Sequence, residues 1–214
     1  MTKIIILPFL CLLVSISAAP TREAFALEER SITGVPIDAF ELGDANLTIE
    51  LWARSPMIFS PVAMDFDAQG RLWTTEGIDY QRGMRIKEGR SIIVLEDKDW
   101  DGKADSSHVF VTEKEIRHAA LGIAVFDNRI VLSSTPSIIV YTDVNRNAVF
   151  DEGVDKREVF LTGFRDASHD HTLHAVVGAP SGQWHFSYGN RGADITTKDG
   201  RHHISGCYYG YSDG

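Results

Sequence analysis

Residues 91–111, SIIVLEDKDWDGKADSSHVFV, decide the fold, because the chain contains their pattern twice. The second copy, residues 137–161, reads SIIVYTDVNRNAVFDEGVDKREVFL. In each copy a Ser-Ile-Ile-Val strand leads into an acidic loop and then into a second apolar strand. The copies start at Ser91 and Ser137, 46 residues apart, a spacing typical of propeller blades and solenoid units.

Outward from this pair, three hairpins repeat at similar intervals. Residues 61–76, PVAMDFDAQGRLWTTE, read as two five-residue strands around a turn at Asp67-Ala68-Gln69-Gly70. Residues 121–135, LGIAVFDNRIVLSST, repeat the form with a turn at Asp127-Asn128, and residues 175–190, AVVGAPSGQWHFSYGN, with a turn at residues 179–182. β-branched and aromatic residues dominate the strands, and turn formers separate them. The hairpins begin near residues 62, 121 and 175, and a SIIV unit follows each of the first two, so a full unit has four strands. The expected fold is therefore all-β, a β-propeller of which residues 46–214 hold the first two to three blades. Open sheet edges invite aggregation, and the chain is expected to be the N-terminal part of a longer protein. A self-contained sandwich is the alternative.

Ahead of the hairpins, residues 47–53 (LTIELWA) alternate as a strand does, and a turn follows at Pro56. Residues 20–45 are weakly periodic and read as a lead-in. Asn46-Leu47-Thr48 is a sequon, with meaning only in a eukaryotic source. Residues 1–19 have one Lys, an apolar run over residues 4–16 and the small residues Ser17-Ala18-Ala19, the form of a signal peptide too short to span a bilayer. Cleavage there, or less readily after Ala26, removes Cys11 and leaves Cys207 as the lone cysteine, so the fold cannot depend on an internal disulfide. Export to a periplasm or the cell exterior is expected, with no transmembrane helix after signal removal. The 214 residues carry 30 acidic and 21 basic side chains, a formal charge of −9. That balance argues against a nucleic-acid partner, which needs clustered Lys and Arg.

Much of the acidity sits in the two repeat loops. Asp97, Asp99, Asp101, Gly102 and Asp105 spell D-x-D-x-D-G-x-x-D, with oxygen ligands at positions 1, 3, 5 and 9 around a turn-permitting Gly. The last position of an EF-hand loop is His108, and strands replace its helices, so this is a calcium-type loop in a β setting. The second copy offers Asp143, Asn145, Asn147 and Asp151, with Ala148 in place of the Gly. Fewer carboxylates mean weaker cation binding, and any calcium held here is expected to pin a turn. A solvated acidic turn is the bland reading of both loops.

Six of the eight His lie between residues 169 and 203, three of them in Ser168-His169-Asp170-His171-Thr172-Leu173-His174. In a strand His169 and His171 would share one face and His174 the other. Three readings stand: a polar loop at the mouth of a blade, a transition-metal site, or one imidazole acting as a general base.

Gly163-Phe164, His171-Thr172-Leu173-His174, Gly178, Gly182 and Tyr188-Gly189-Asn190-Arg191-Gly192, with residues 61–67 and the Asp97 loop, resemble the propeller of large exported proteins of planctomycetes and verrucomicrobia. These are described as membrane-bound dehydrogenases. They often carry a helical-repeat region and a haem-binding Cys-x-x-Cys-His domain further on, a motif these residues lack. More remotely the chain is similar to the soluble quinoprotein glucose and sorbosone dehydrogenases. Those are six-bladed propellers that use pyrroloquinoline quinone and calcium. The resemblance implies His174 or His171 as general base, Arg191 and Asn190 beside the quinone, and an alcohol or sugar as substrate. Two positions depart from the remote pattern. Asn190 follows Gly189 where a carboxylate would orient the imidazolium, and Ala175-Val176-Val177 replace the Arg that follows the His. A non-catalytic, calcium-stapled propeller binding a glycan or protein partner is the second reading. A hydrolytic propeller is a third, and it would need paired carboxylates on the channel.

Overall fold

The computed structural model describes residues 37–77, 89–114, 120–165, 172–205 and 208–212. The signal-peptide segment, His169 and His171 lie outside them. After a short 3-10 turn at Ile37–Ala39, every regular element is a strand. The first sheet contains β1 (Pro61–Phe66), β2 (Leu72–Glu76), β3 (Arg90–Glu96) and β4 (Ser106–Glu113) as an antiparallel meander. The second repeats it with β5 (Gly122–Phe126), β6 (Arg129–Ser134), β7 (Ser137–Thr142) and β8 (Lys156–Thr162). The third pairs β9 (Leu173–Gly178), β10 (Trp184–Tyr188) and β13 (Tyr208–Ser212). Between β10 and β13 stands a two-stranded hairpin, β11 (Ala193–Thr197) and β12 (Gly200–Ile204). The fold is all-β, a partial, unclosed propeller-like array of sheets.

The repeat is physical as well as textual. Ser91 faces Thr112 and Ser137 faces Thr162, each pair sharing a hydroxyl hydrogen bond, at 2.8 and 2.9 Å. One residue further on, both ladders slip by a bulge, between Ile92 and Ile93 and between Ile138 and Ile139. The same Ser-Ile-Ile-Val thus makes the same local geometry twice.

The sheets stack through interleaved apolar faces. Trp73, Ile92, Val94 and Phe110 of the first pack on Ile123, Ile130, Leu132, Ile139 and Tyr141 of the second. Phe110 meets Trp73, Tyr141 and Phe150 edge-on at centroid distances of 5.1, 5.8 and 6.1 Å. The other face of the second sheet, through Ala124, Val131, Ile138 and Val140, meets Leu173, Val176, Trp184 and Phe186 of the third. Alternation along β6 allows this, since successive side chains go to opposite neighbours. Each fully buried aliphatic or aromatic side chain contributes about 1.5–3 kcal/mol. Polar groups register the stack: Asp65 accepts the Val125 N–H at 2.8 Å, Thr75 Oγ1 donates to Ala120 O at 2.8 Å, and Leu173 N–H donates to Thr135 Oγ1 at 3.2 Å.

Residues 47–53 do not form a strand, contrary to their alternation. They run as extended chain across the free face of the first sheet, where Trp52, Ala53, Met57 and Ile58 cover Leu72, Ile93 and Leu95. Leu47 and Ile49 stay exposed. The turn at Pro56 is present, closed by Met57 N–H donating to Arg54 O at 2.9 Å.

Candidate functional site

A meander places its connections alternately at its two ends. The β1–β2 turn and the β3–β4 loop lie at one end, the end of β2, the start of β3 and the exit of β4 at the other. Asp65 lies beside Val125, Gly122 beside Ala175 and Phe126 beside Gly178, so β1, β5 and β9 run in the same direction and the division holds across the three sheets. Both acidic loops, β3–β4 and β7–β8, sit at the first end. His174, which opens β9, and Asn190-Arg191, which follow β10, sit at the second.

At the first end, Asp97, Asp99 and Asp105 bring one carboxylate oxygen each within 4.8 Å of one another, with Asp99 and Asp105 exposed and Asp97 half-buried. Asp97 shapes the loop by accepting Asp101 N–H at 3.2 Å and Gly102 N–H at 3.0 Å. Asp105 closes it by accepting Lys98 N–H at 2.6 Å. Asp101 stands outside that trio and accepts Lys103 N–H at 2.9 Å. The arrangement can hold a hard cation, because three carboxylate oxygens converge.

The second loop is built on the same frame and closed by other means. Asp143 accepts Asn147 and Ala148 N–H at 3.2 and 2.8 Å, as Asp97 accepts Asp101 and Gly102. Asp155 accepts Val144 N–H at 2.8 Å, as Asp105 accepts Lys98 N–H in the first loop. Asp151 instead takes the side-chain amides of Asn145 and Asn147, each at 2.7 Å. Two amide NH2 groups thus stand where the first loop has carboxylates. Ala148 is buried against β4, its carbonyl 2.9 Å from His108 Nε2, which explains why a methyl replaces the Gly here. The residue in the middle of each loop has φ 61° and reaches the hairpin turn of its own sheet: Trp100 lies against Gly70, and Arg146 pairs with Asp127 at 2.6 Å.

At the second end, β9 and β10 pair Leu173 with Tyr188, and Gly189 N–H donates to Thr172 O at 2.9 Å. This brings half-buried His174 to the same end of the sheet as exposed Asn190 and Arg191. Gly122 of β5 backs His174, because a Cβ there would stand 3.2 Å from the His174 carbonyl carbon and 2.4 Å from Ala175 Cα. Among the described residues, no carboxylate is hydrogen-bonded to His174.

Asp194, the first carboxylate after Arg191, is held by partners other than His174. Its Oδ2 accepts from Arg165 Nη2 at 2.9 Å and Nε at 3.1 Å, and its Oδ1 from His203 Nδ1 at 2.9 Å and Arg201 Nη2 at 3.2 Å. The His203 and Arg165 contacts hold its carboxyl well below the usual carboxylate range. This cluster escaped sequence reading, although Lys198-Asp199-Gly200 between alternating residues is a hairpin signal. Among the described residues, no helix is long and apolar enough to cross a membrane.

The sheets and their two polar ends define the class, an incomplete propeller-like all-β domain. The chain belongs to the DUF7133 family, a domain of unknown function whose model matches residues 37–212. It is similar to the iodide structure of Trichoderma reesei Carbohydrate-Active Enzymes Family AA12, at 15% identity and a TM-score of 0.45 over 66% of this chain and 32% of that one. The calcium structure of the same family gives 13% identity and a TM-score of 0.41 over 61% of this chain and 30% of that one. The chain thus spans about a third of the length of these structures. No curated protein matches it.

Proposed function

We propose that this chain is part of an exported, dehydrogenase-like propeller that oxidises a sugar or another alcohol, with a calcium ion stapling the Asp97 loop. The observation that supports the reading is that His174, in β9, and Asn190-Arg191, after β10, lie at the same end of the third sheet. His174 removes the hydroxyl proton as the alcohol carbon is oxidised to a carbonyl. Bound pyrroloquinoline quinone would supply a two-electron acceptor there, and Arg191 offers a guanidinium to its carboxylates. The cation loop lies at the opposite end, so its ion acts on stability and not on the alcohol.

A second reading is supported by Asn190, an amide where the resemblance would have a carboxylate to orient the imidazolium. Without that orienting group, the same end suits a recognition module for a glycan or a protein. Sugar-dependent reduction of an artificial electron acceptor, measured after loading with calcium and quinone, separates the two. Turnover that His174→Ala lowers at least a hundredfold supports oxidation. Sugar binding without turnover supports recognition.

A further inference from the structure

The inserted β11–β12 hairpin is amphipathic across its two faces. Ala193 and Ile195 are buried against the core between the second and third sheets. The pairing of Asp194 with His203 and of Thr196 with Arg201 puts these four on the outward face. Arg165, just after β8, lies over the same face because Phe164 bridges to Ala193 and Arg165 N–H donates to Gly192 O at 3.2 Å. Three cationic or protonatable side chains therefore surround one carboxylate, in a chain whose formal charge is −9.

Asp194 is spent on this arrangement. Both its oxygens are taken, its side chain is only 30% exposed, and it stays ionised far into the acid range. The cations are not spent. Arg165, Arg201 and His203 are 47%, 73% and 60% exposed, and His203 Nε2 with the Nε and Nη1 of Arg201 make no hydrogen bond among the described residues. A carboxylate that holds Arg165 through two donors, and Arg201 and His203 through one each, removes part of the ordering cost a ligand would otherwise meet. Planar guanidinium groups presented this way match carboxylate and sulfate oxygens in pairs.

We infer that Arg165, Arg201 and His203, organised by Asp194, form a recognition site for the carboxylate group of a ligand bound at the His174 end of the sheets. The inference rests on the proposed function for that end and gives its ligand an acidic character. The carboxylate has two sources, an acidic sugar such as a hexuronate or the quinone cofactor itself.

Calorimetric titration of the calcium-loaded chain at low salt tests it, with tetragalacturonate, its methyl ester and pyrroloquinoline quinone as probes. Tetragalacturonate is expected to bind at least tenfold more tightly than the ester, and Arg201→Gln and His203→Gln each to weaken it severalfold. Both side chains are exposed, so the folded state is retained. Asp194→Asn is expected to lose the preference for acid over ester. Quinone binding that falls in the same variants, with no response to tetragalacturonate, supports the site and names the cofactor as the carboxylate source. Equal binding of acid and ester with no quinone response, or affinities unchanged in all three variants, overturns the inference. Failure is separable from that of the oxidoreductase reading. Sugar turnover with equal binding of acid and ester and no quinone response sinks the site alone, whereas carboxylate binding without turnover sinks only the oxidation.

Discussion

Tyr141 donates its hydroxyl to Glu113 Oε1 at 2.6 Å, joining the second sheet to the end of the first. Arg157 adds a two-pronged contact to the same carboxylate, with its Nη2 at 2.9 Å from Oε2. Tyr141 is fully buried, and burial with the neighbouring Glu113 pushes its phenol up. Tyr141→Phe is expected to cost about 1 kcal/mol, since the carboxylate keeps Arg157. Glu113→Ala should cost about 2–4 kcal/mol, because it strands a buried hydroxyl and a guanidinium. Urea unfolding of the two variants checks the order, and equal losses would show that the latch is not shared as described.

Asp67 gives a pH dependence with a definite sign. Burial alone would raise its pKa, but Trp73 Nε1–H at 2.8 Å and the Arg71 side chain at 2.6 Å, with the Arg71 N–H, outweigh it and leave it below 3.8. A group whose folded pKa is depressed adds stability that is complete above the unfolded value and is lost as pH falls through the folded one. Stability should therefore drop below about pH 4. Asp67→Asn should flatten part of that slope, measured by urea midpoints between neutral and acid pH.

Calcium should act through one loop only. Saturating calcium is expected to raise the melting temperature by about 5 °C or more, the effect of a ligand near a hundredfold over its Kd on a chain of this size. Asp97→Asn should abolish the rise. Asn145→Ala should lower stability with or without calcium, since Asn145 donates to Asp151 where a cation would otherwise sit. Calorimetry with and without a chelator measures both.

At Gly122 the backbone of the second sheet lies directly against that of the third. A methyl there would meet Ala175 Cα at 2.4 Å and its N at 2.9 Å, both backbone atoms that cannot swing away. Gly122→Ala should cost about 1–3 kcal/mol and shift the signals of His174, read by two-dimensional NMR. Unchanged His174 signals would separate that residue from the sheet junction.

The repeat was legible because Ser91 and Ser137 head the same continuous apolar run, the mark of a strand buried on both faces. The three hairpins were legible through their turns at Asp67, Asp127 and Ala179. Residues 47–53 misled because alternation describes which side of a chain is apolar and not whether a free strand edge lies beside it. Here Ala104 N–H to Trp52 O, at 2.8 Å, ties the segment to the first sheet across its face. The Asp97 loop could be read from spacing, because its ligands are local. Asp155 and the Asp194 cluster could not. Asp155 replaces Asp105 across a longer loop, and Asp194 gathers Arg165 and His203 through contacts of the folded chain.

The division into two ends is the central claim, and one set of titrations tests it most directly. Pyrroloquinoline quinone is titrated into the calcium-loaded chain and its His174→Ala, Arg191→Ala and Asp97→Asn variants, with melting temperatures recorded alongside. The account predicts that His174→Ala and Arg191→Ala weaken quinone binding at least tenfold at unchanged melting temperature, while Asp97→Asn lowers the melting temperature and leaves the Kd unchanged. Quinone binding that Asp97→Asn abolishes and His174→Ala leaves intact would contradict it.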